Sequence, residues 1–189
     1  LHLMFEKIVA NISSRFVSMP DHQIDKGIEK TLKEVCEFIG AFRGRIFLFS
    51  DDHKDLQITH EWSSGRSSGG KGKKPNYNWS DFRYFSGKLK DLEDVVLDTA
   101  DELPAEAKEV SAWFEKNGFN PIFYVPIISE EQNVGVLGFT AENNKNHKWP
   151  KQYAHLLRYI STVFYSAISR KEINRKLRLT RFSIDHYSD

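Results

Sequence analysis

Two apolar runs separated by a short polar connector constrain the fold of this 189-residue chain more than any other feature. They cover residues 122–128 and 134–139, and both are rich in β-branched or aromatic side chains. Such runs predict strands, and so short a connector predicts an antiparallel hairpin. Neither run alternates between apolar and polar residues, so both faces of the sheet are expected to be covered. The hairpin is architecture and indicates no chemistry by itself.

The composition indicates a folded domain with no strong electrostatic preference for nucleic acid. The formal net charge is +1, from 27 basic and 26 acidic residues. The single cysteine, Cys36, cannot form an internal disulfide, and no signal peptide opens the chain, which favours a cytoplasmic location. No apolar stretch approaches the ~20 residues that cross a bilayer. Because the chain begins with Leu1, we expect it to be part of a longer protein.

Helical periodicity predicts two helices near the beginning of the chain and one at its end. The apolar spacing over residues 5–19 indicates a helix that Pro20 ends. A second helix is predicted with Asp21 as its N-cap and Gly40 as its C-cap. The last helix is expected to begin near residue 150 and to run without a break to residue 180.

Between these helices we predict a second hairpin, a loop and a shorter helix. Residues 45–49 and 56–62 form the hairpin, and residues 95–97 a brief edge strand. Pro104 lies near the first turn of a helix that Asn117 and Gly118 end.

The glycine- and lysine-rich residues 63–75 predict a mobile loop, because they bury too little apolar surface to offset their ordering entropy. Residues 65–71 fit most of a phosphate-binding P-loop. Gly72, however, stands where a serine or threonine would bind magnesium, so we predict no nucleotide site.

A ligand pocket is predicted where aromatic residues concentrate between the two hairpins. His60 and Trp62 share one face of their strand and Glu61 takes the other, since side chains alternate along a strand. An apolar wall with one polar group from His60 or Glu61 would suit a small ligand. The alternative is ordinary core aromatics with a hydrogen-bonded or exposed histidine. The candidate ligand-binding residues are His60, Glu61, Trp62, Tyr77, Trp79, Phe82 and Phe85.

The sequence predicts neither a catalytic nor a metal site. None of the seven histidines has a second one four residues away, and there is no Cys-x-x-Cys pair. No Gly-x-Ser-x-Gly motif presents a serine nucleophile. Cys36 lies on an apolar helical stripe, which favours a buried hydrophobic side chain over a redox thiol.

The order of elements and several motifs resemble a GAF domain over roughly residues 5–170, in the subgroup that precedes PAS domains in bacterial sensor kinases. The resemblance implies an α+β sandwich. Its central antiparallel sheet has five or six strands, with the terminal helices on one face and a ligand-side cover on the other. The motifs that carry the resemblance are His60-Glu61-Trp62, residues 98–107, Gly118, Val125-Pro126-Ile127, residues 134–139 and Trp149.

The resemblance also implies a division of the chain. Residues 1–170 would form the GAF domain, residues 171–180 a signalling helix, and residues 181–189 the truncated beginning of a PAS domain. Asn144-Lys145 matches part of the cyclic-nucleotide pattern of some GAF domains, but the Phe and Asp-Glu parts are missing. Cys36 lies in an early helix, away from the cysteine that carries bilin in relatives, so covalent bilin is not expected.

The function expected from this resemblance is a non-catalytic, cytoplasmic sensory module. It would bind a small ligand of unknown identity and relay a signal through its last helix to downstream PAS and histidine kinase domains. One alternative is a ligand-free dimerisation and relay module. Another is a GAF-fold reductase, which the single cysteine disfavours. A homodimer is expected through the first and last helices. The predicted dimer and relay residues are Phe5, Ile12, Phe16, Leu157, Phe164 and Ile168.

Overall fold

The structure, a computed structural model, describes residues 2–50, 54–65, 76–78, 83–144 and 146–186, and only the backbone at 2–5, 76–78 and 183–186. The helices in these ranges are α1 (His2–Val17), α2 (Ile24–Ile39), α3 (Arg83–Lys90), α4 (Lys108–Asn117) and α5 (Tyr153–His186). The strands are β1 (Arg43–Phe49), β2 (Asp55–Ser63), β3 (Asn76–Asn78), β4 (Val95–Leu97), β5 (Ile122–Ser129) and β6 (Gln132–Thr140).

The strands form one antiparallel sheet of six strands in the order β3-β2-β1-β6-β5-β4. Both predicted hairpins are confirmed, as β1-β2 and β5-β6. The second is closed by Glu130 and Glu131, whose φ angles of 50° and 63° lie in the left-handed region. A two-residue turn of this kind matches the twist of the paired strands.

One face of the sheet carries α1, α2 and α5, which share a continuous apolar core with it. Phe16 of α1 packs edge-on against Phe164 of α5, with ring centroids 5.7 Å apart. The other face carries α3 and α4, which we call the cover layer; its core includes Phe85 and Phe114. The prediction that both faces are covered is confirmed, and so is the α+β class.

Two predicted helix starts are wrong. Leu103 is extended (φ −70°, ψ 130°), as expected of a residue before proline, and α4 begins only at Lys108. Asp21 is not the N-cap of α2: it lies in a short 3-10 helix, and its carboxylate accepts a hydrogen bond from Asn174 Nδ2 at 3.1 Å. The C-cap at Gly40 is confirmed, with φ 77°.

The long last helix is confirmed, and every residue from 175 to 182 is exposed. The boundaries at residues 170 and 180, and the beginning of a PAS domain, remain predictions. None of the helices in the described part of the chain is both long and apolar enough to span a membrane.

The predicted dimer residues require a correction. Ile12, Phe16, Leu157 and Phe164 are at most 3% exposed, because α1, α5 and the sheet pack on them within one subunit. Buried side chains of this kind cannot contact a second copy. Ile168 is half-buried against the same core, and the side chain of Phe5 lies outside the described residues.

Candidate functional site

A bulge in β2 decides which way the predicted site residues face. Ile46 of β1 pairs with His60, whereas the next residue, Phe47, pairs with Ile58. Thr59 is therefore an extra residue, and its hydroxyl donates a hydrogen bond to the Ile46 carbonyl at 3.3 Å. A bulge turns the side chains that follow it to the opposite face of the sheet.

The residues after the bulge divide between the two faces. Trp62, opposite Gly44, packs against the core of the helical layer. Glu61 pairs with Arg45 across the strands and forms an ion pair with it on the cover side. His60 and Trp62 thus lie on the face away from the cover.

His60 links the sheet to two helices. Its Nε2 lies 3.3 Å from Asp25 Oδ1 of α2, and its Nδ1 lies 3.0 Å from Thr59 Oγ1. The other carboxylate oxygen of Asp25 accepts a hydrogen bond from Lys171 Nζ of α5 at 2.5 Å. Burial raises the pKa of Asp25, but the hydrogen bonds from Lys171 and His60 outweigh it and hold that pKa below its ordinary value. In the structure, His60 is therefore a hydrogen-bonded histidine on the helical side of the sheet.

A cavity of about 410 Å³ lies on the cover side of the sheet, between strands β1, β5 and β6 and helix α4. This volume falls in the range of small-molecule sites. The residues that line it are Phe42, Arg43, Arg45, Trp113, Phe114, Asn117, Gly118, Asn120, Ile122, Tyr124, Thr140 and Glu142.

Polar side chains occupy the β1 side of the cavity. Arg43 and Arg45 are two residues apart on one strand, so they project on the same face. Both are partly buried. The guanidinium of Arg43 also lies 5.2 Å from the centre of the Phe42 ring. Glu142 adds a carboxylate, so the site offers charges of both signs with an excess of basic groups among the lining residues.

Aromatic side chains occupy the α4 and β5 side. Trp113 is 42% exposed and packs edge-on against Phe114 at 5.4 Å. Tyr124 packs edge-on against Phe85 of α3 at 5.9 Å. The lining therefore combines aromatic side chains from α4 and β5 with basic ones from β1.

None of the predicted ligand-binding residues whose side chains the structure describes lines this cavity, although two of them contact residues that do. Glu61 and Phe85 do not line it, but each contacts a residue that does, Arg45 and Tyr124 respectively. The backbone of Tyr77 pairs with Leu56 in β3. Trp79, Phe82 and residues 66–75 of the glycine- and lysine-rich segment lie outside the described residues. The ligand-binding role of the predicted residues stays a prediction.

The sequence did contain a signal for the residues that were missed. Arg43 and Arg45 alternate with Gly44 and Ile46 in a strand that is expected to be covered on both faces. Two arginines directed toward a covered face require a partner or a ligand, because a buried charge without compensation is costly.

Cys36 has no exposed surface, and burial raises the pKa of its thiol to about 12. A buried thiol of such high pKa is a poor nucleophile, which argues against the reductase alternative. Within the described residues, no cluster of histidine, cysteine, aspartate and glutamate side chains is suited to hold a metal ion.

No protein-family model matches the sequence, and no curated protein matches it either. Solved structures do match. The chain superimposes on the phycoerythrobilin-bound GAF domain from a cyanobacterial phytochrome with a TM-score of 0.71 and 16% identity, over 93% of this chain and 100% of that one. The GAF domain of a phosphoenolpyruvate-protein phosphotransferase from Coxiella burnetii gives 0.66 and 16%, over 91% and 96%.

The photosensory core module of the Stigmatella aurantiaca phytochrome gives a TM-score of 0.71 at 17% identity, over 97% of this chain and 40% of that longer one. That alignment covers nearly the whole of this chain. The chain therefore has the fold of a GAF domain.

Proposed function

We propose that this chain is the sensory part of a cytoplasmic multidomain regulator. A small ligand binds in the cavity on the cover side of the sheet, and α5 carries the resulting change toward an output region, for which a PAS and histidine kinase pair is the leading candidate. Neighbours of the same fold include a bilin-bound photoreceptor domain and a domain of a phosphotransferase, which supports a sensory or regulatory role over a catalytic one.

The observation that carries the proposal is a contact between α5 and the cover layer. Arg158 of α5 donates from Nε to both carboxylate oxygens of Asp94, at 3.0 and 3.2 Å. Its Nη2 donates to the carbonyl of Leu92 at 3.3 Å. Both partners belong to the turn that joins α3 to β4. Helix α5 is thus hydrogen-bonded to the turn that follows α3, although α3 lies on the opposite face of the sheet.

This contact is connected to the cavity through aromatic packing. Tyr124 lines the cavity, and Phe85, against which it packs, belongs to α3. A ligand that moves Tyr124 would displace α3 and with it the turn held by Arg158. Leu92, in that turn, has a left-handed φ of 61°, which is unusual for a bulky residue and indicates backbone strain. Strained turns of this kind are suited to switch between two arrangements.

A second link joins the sheet to α5 where this helix leaves the core. The chain of contacts from His60 through Asp25 to Lys171 connects β2 with the first residues of α5 that follow its buried part. Its neighbour Arg170 donates to the carbonyl of Phe16 at 3.1 Å and so closes the end of α1. Two groups of polar contacts therefore set the position of α5 against the domain.

The same helix offers a surface for a homodimer. Ile173 and Leu177 are 57% and 60% exposed. They continue a line through the partly exposed Tyr159, which is two heptads before Ile173. A neighbouring side of α5, about 100° around the helix from Ile173, contacts Asp21 through Asn174 and is not available. We propose a parallel homodimer through this stripe instead of through the buried residues first predicted.

Native mass spectrometry of freshly purified protein tests the ligand. A retained compound that dissociates on denaturation is expected if the chain is a ligand sensor. The specific loss of that compound in the variant Tyr124→Ala would locate it in the cavity. Protein that purifies without any bound compound and as a dimer would favour the second candidate, a ligand-free dimerisation and relay module, for which the exposed stripe on α5 is the supporting observation.

A further inference from the structure

We propose that the cavity beside β1 selects a planar organic anion: a small aromatic or heteroaromatic carboxylate whose acid group binds at Arg43 and Arg45 and whose ring lies against Trp113. The inference rests on the proposed function, because it names the class of ligand for the same cavity.

The acid-binding end is formed by the guanidinium groups. Arg45 contacts Glu61 through Nε, and no other described residue accepts from its two terminal nitrogens. A guanidinium presents its donors in a planar fork that matches a carboxylate with two parallel hydrogen bonds. Arg45 can therefore remain paired with Glu61 on one edge while its other edge binds an anion. Arg43, two residues earlier on the same face, provides the second positive charge.

Neutral polar groups adjoin this end. The side chains of Asn120 and Thr140 line the cavity, and neither forms a hydrogen bond with a described residue. This amide and this hydroxyl still reach water, and a ligand with acceptor atoms can take the place of that water. They fix the orientation of a polar ligand but do not determine its charge.

The ring-binding end is formed by α4. Trp113 lines the cavity and is 42% exposed, so part of this aromatic residue can be reached by a ligand. Phe114, which also lines the cavity, packs edge-on against Trp113 at 5.4 Å. An aromatic ring stacked on such a surface adds to the affinity beyond the area it buries. An inorganic anion would not stack on Trp113, and an apolar compound would not form hydrogen bonds with the two arginines. A planar organic anion uses both.

A pair of probes that differ only in charge tests this inference. Binding of 2-naphthoate and of its neutral isostere 2-naphthamide to the 189-residue chain is measured by titration calorimetry and saturation-transfer NMR. Hydrogen bonds to charged groups contribute enough that naphthoate should bind about 10- to 100-fold more tightly than the amide. The variant Arg45→Gln/Glu61→Gln, which keeps the net charge, should remove that difference. Lys116→Gln, exposed on the same helix α4 but outside the cavity, should preserve it.

The double variant is checked by circular dichroism for folding, and Arg43→Gln serves as a second test of the same charge preference. Equal affinity for the two probes would overturn the selection of anions while leaving the cavity as a ligand site. Failure of naphthoate to bind, or an equal loss in Lys116→Gln, would also overturn the inference. The mass-spectrometric experiment then decides the proposed function independently.

Discussion

The ring of Phe16 lies 5.7 Å from that of Phe164, and the edge-to-face contact between them joins the first and last helices within one subunit. Both rings are buried, so replacing one should affect folding. We expect Phe164→Ala to lower the free energy of unfolding by about 3–5 kcal/mol, the usual cost of removing a core phenylalanine. Urea denaturation followed by circular dichroism measures it. A change below about 1 kcal/mol would show that this pair is not core.

The exposed stripe on α5 should behave in the opposite way. Leu177→Arg is expected to leave the unfolding free energy of the subunit nearly unchanged, since the side chain is 60% exposed. It should nevertheless shift a dimer toward monomer in sedimentation equilibrium at high micromolar concentration. Arg175→Gln, also exposed on α5, is the matched control and should not alter assembly. Wild-type protein that is monomeric at these concentrations would contradict the proposed dimer.

The contact between Arg158 and Asp94 should be measurable by a double-mutant cycle. Asp94 is 17% exposed and Arg158 42%, so the pair is partly shielded from water. We expect a coupling free energy of about 1 kcal/mol between Arg158→Gln and Asp94→Asn, decreasing as salt is added. If the contact relays ligand binding, either variant should also abolish any ligand-induced change in hydrogen exchange of residues 170–182. Exchange that still responds to ligand in both variants would remove this contact from the relay.

Two glycines should respond to alanine with opposite signs. A Cβ at Gly135 would lie 2.2 Å from the carbonyl oxygen of Phe47, a backbone atom that cannot move aside easily. Gly135→Ala should therefore cost about 1–3 kcal/mol of stability. Gly87, inside α3, has open space around its Cβ position. Gly87→Ala should stabilise the protein by about 0.5–1 kcal/mol, because alanine loses less backbone entropy in a helix. Thermal denaturation of both variants makes the comparison, and a stable Gly135→Ala protein would contradict the β1-β6 register.

The stability of the protein should fall in mildly acidic solution through His147. Burial lowers the pKa of His147, while Asp98 opposes that shift only partly. Among the described residues no group hydrogen-bonds to its Nε2, so protonation would bury an unpaired donor. A histidine whose folded-state pKa is lowered contributes stability above its unfolded-state pKa, about 6.5, and loses it as the pH falls below that value. Urea unfolding at pH 7.5 and 5.0 should show a smaller decline for His147→Gln than for the exposed control His155→Gln. Equal declines would contradict this assignment.

Much of the fold could be predicted from the sequence because the two hairpins and the long helices have strong periodic patterns. The residues 122–128 and 134–139 are apolar on both faces, and this pattern alone indicated a sheet covered on both sides. The start of α4 was misjudged because Pro104 can open a helix or, as here, hold Leu103 extended in the turn before one. The dimer residues were misjudged because an apolar stripe shows that a helix face is covered, but not by which partner.

The candidate site was harder to predict, because it depends on contacts between segments distant in the sequence. His60 and Trp62 looked like pocket residues because they extend an alternating pattern through Leu56 and Ile58. Thr59 interrupts the pairing of β2 with β1, and no periodic pattern in the sequence predicts a bulge. Arg43 and Arg45 meet Trp113 only once α4 is packed on the sheet. The two arginines could be identified in the sequence, but the residues that pack around them could not.

The bulge at Thr59 directs His60 toward the helical layer and Glu61 toward the cover side, so two consecutive residues of β2 contact opposite sides of the sheet. Glu61 is joined to Arg45 at the cavity, and His60 is joined through Asp25 to Lys171 at the start of the exposed part of α5. A rigid peptide unit lies between them, so a tilt that one side chain imposes on the backbone is felt by the other without passing through the hydrophobic core. If Thr59 were instead paired with Ile46, so that β2 alternated strictly, the two orientations would be exchanged. The acid would then face the helices and the imidazole the cover side, and the strand would lose its connection between occupancy on one side of the sheet and helix position on the other.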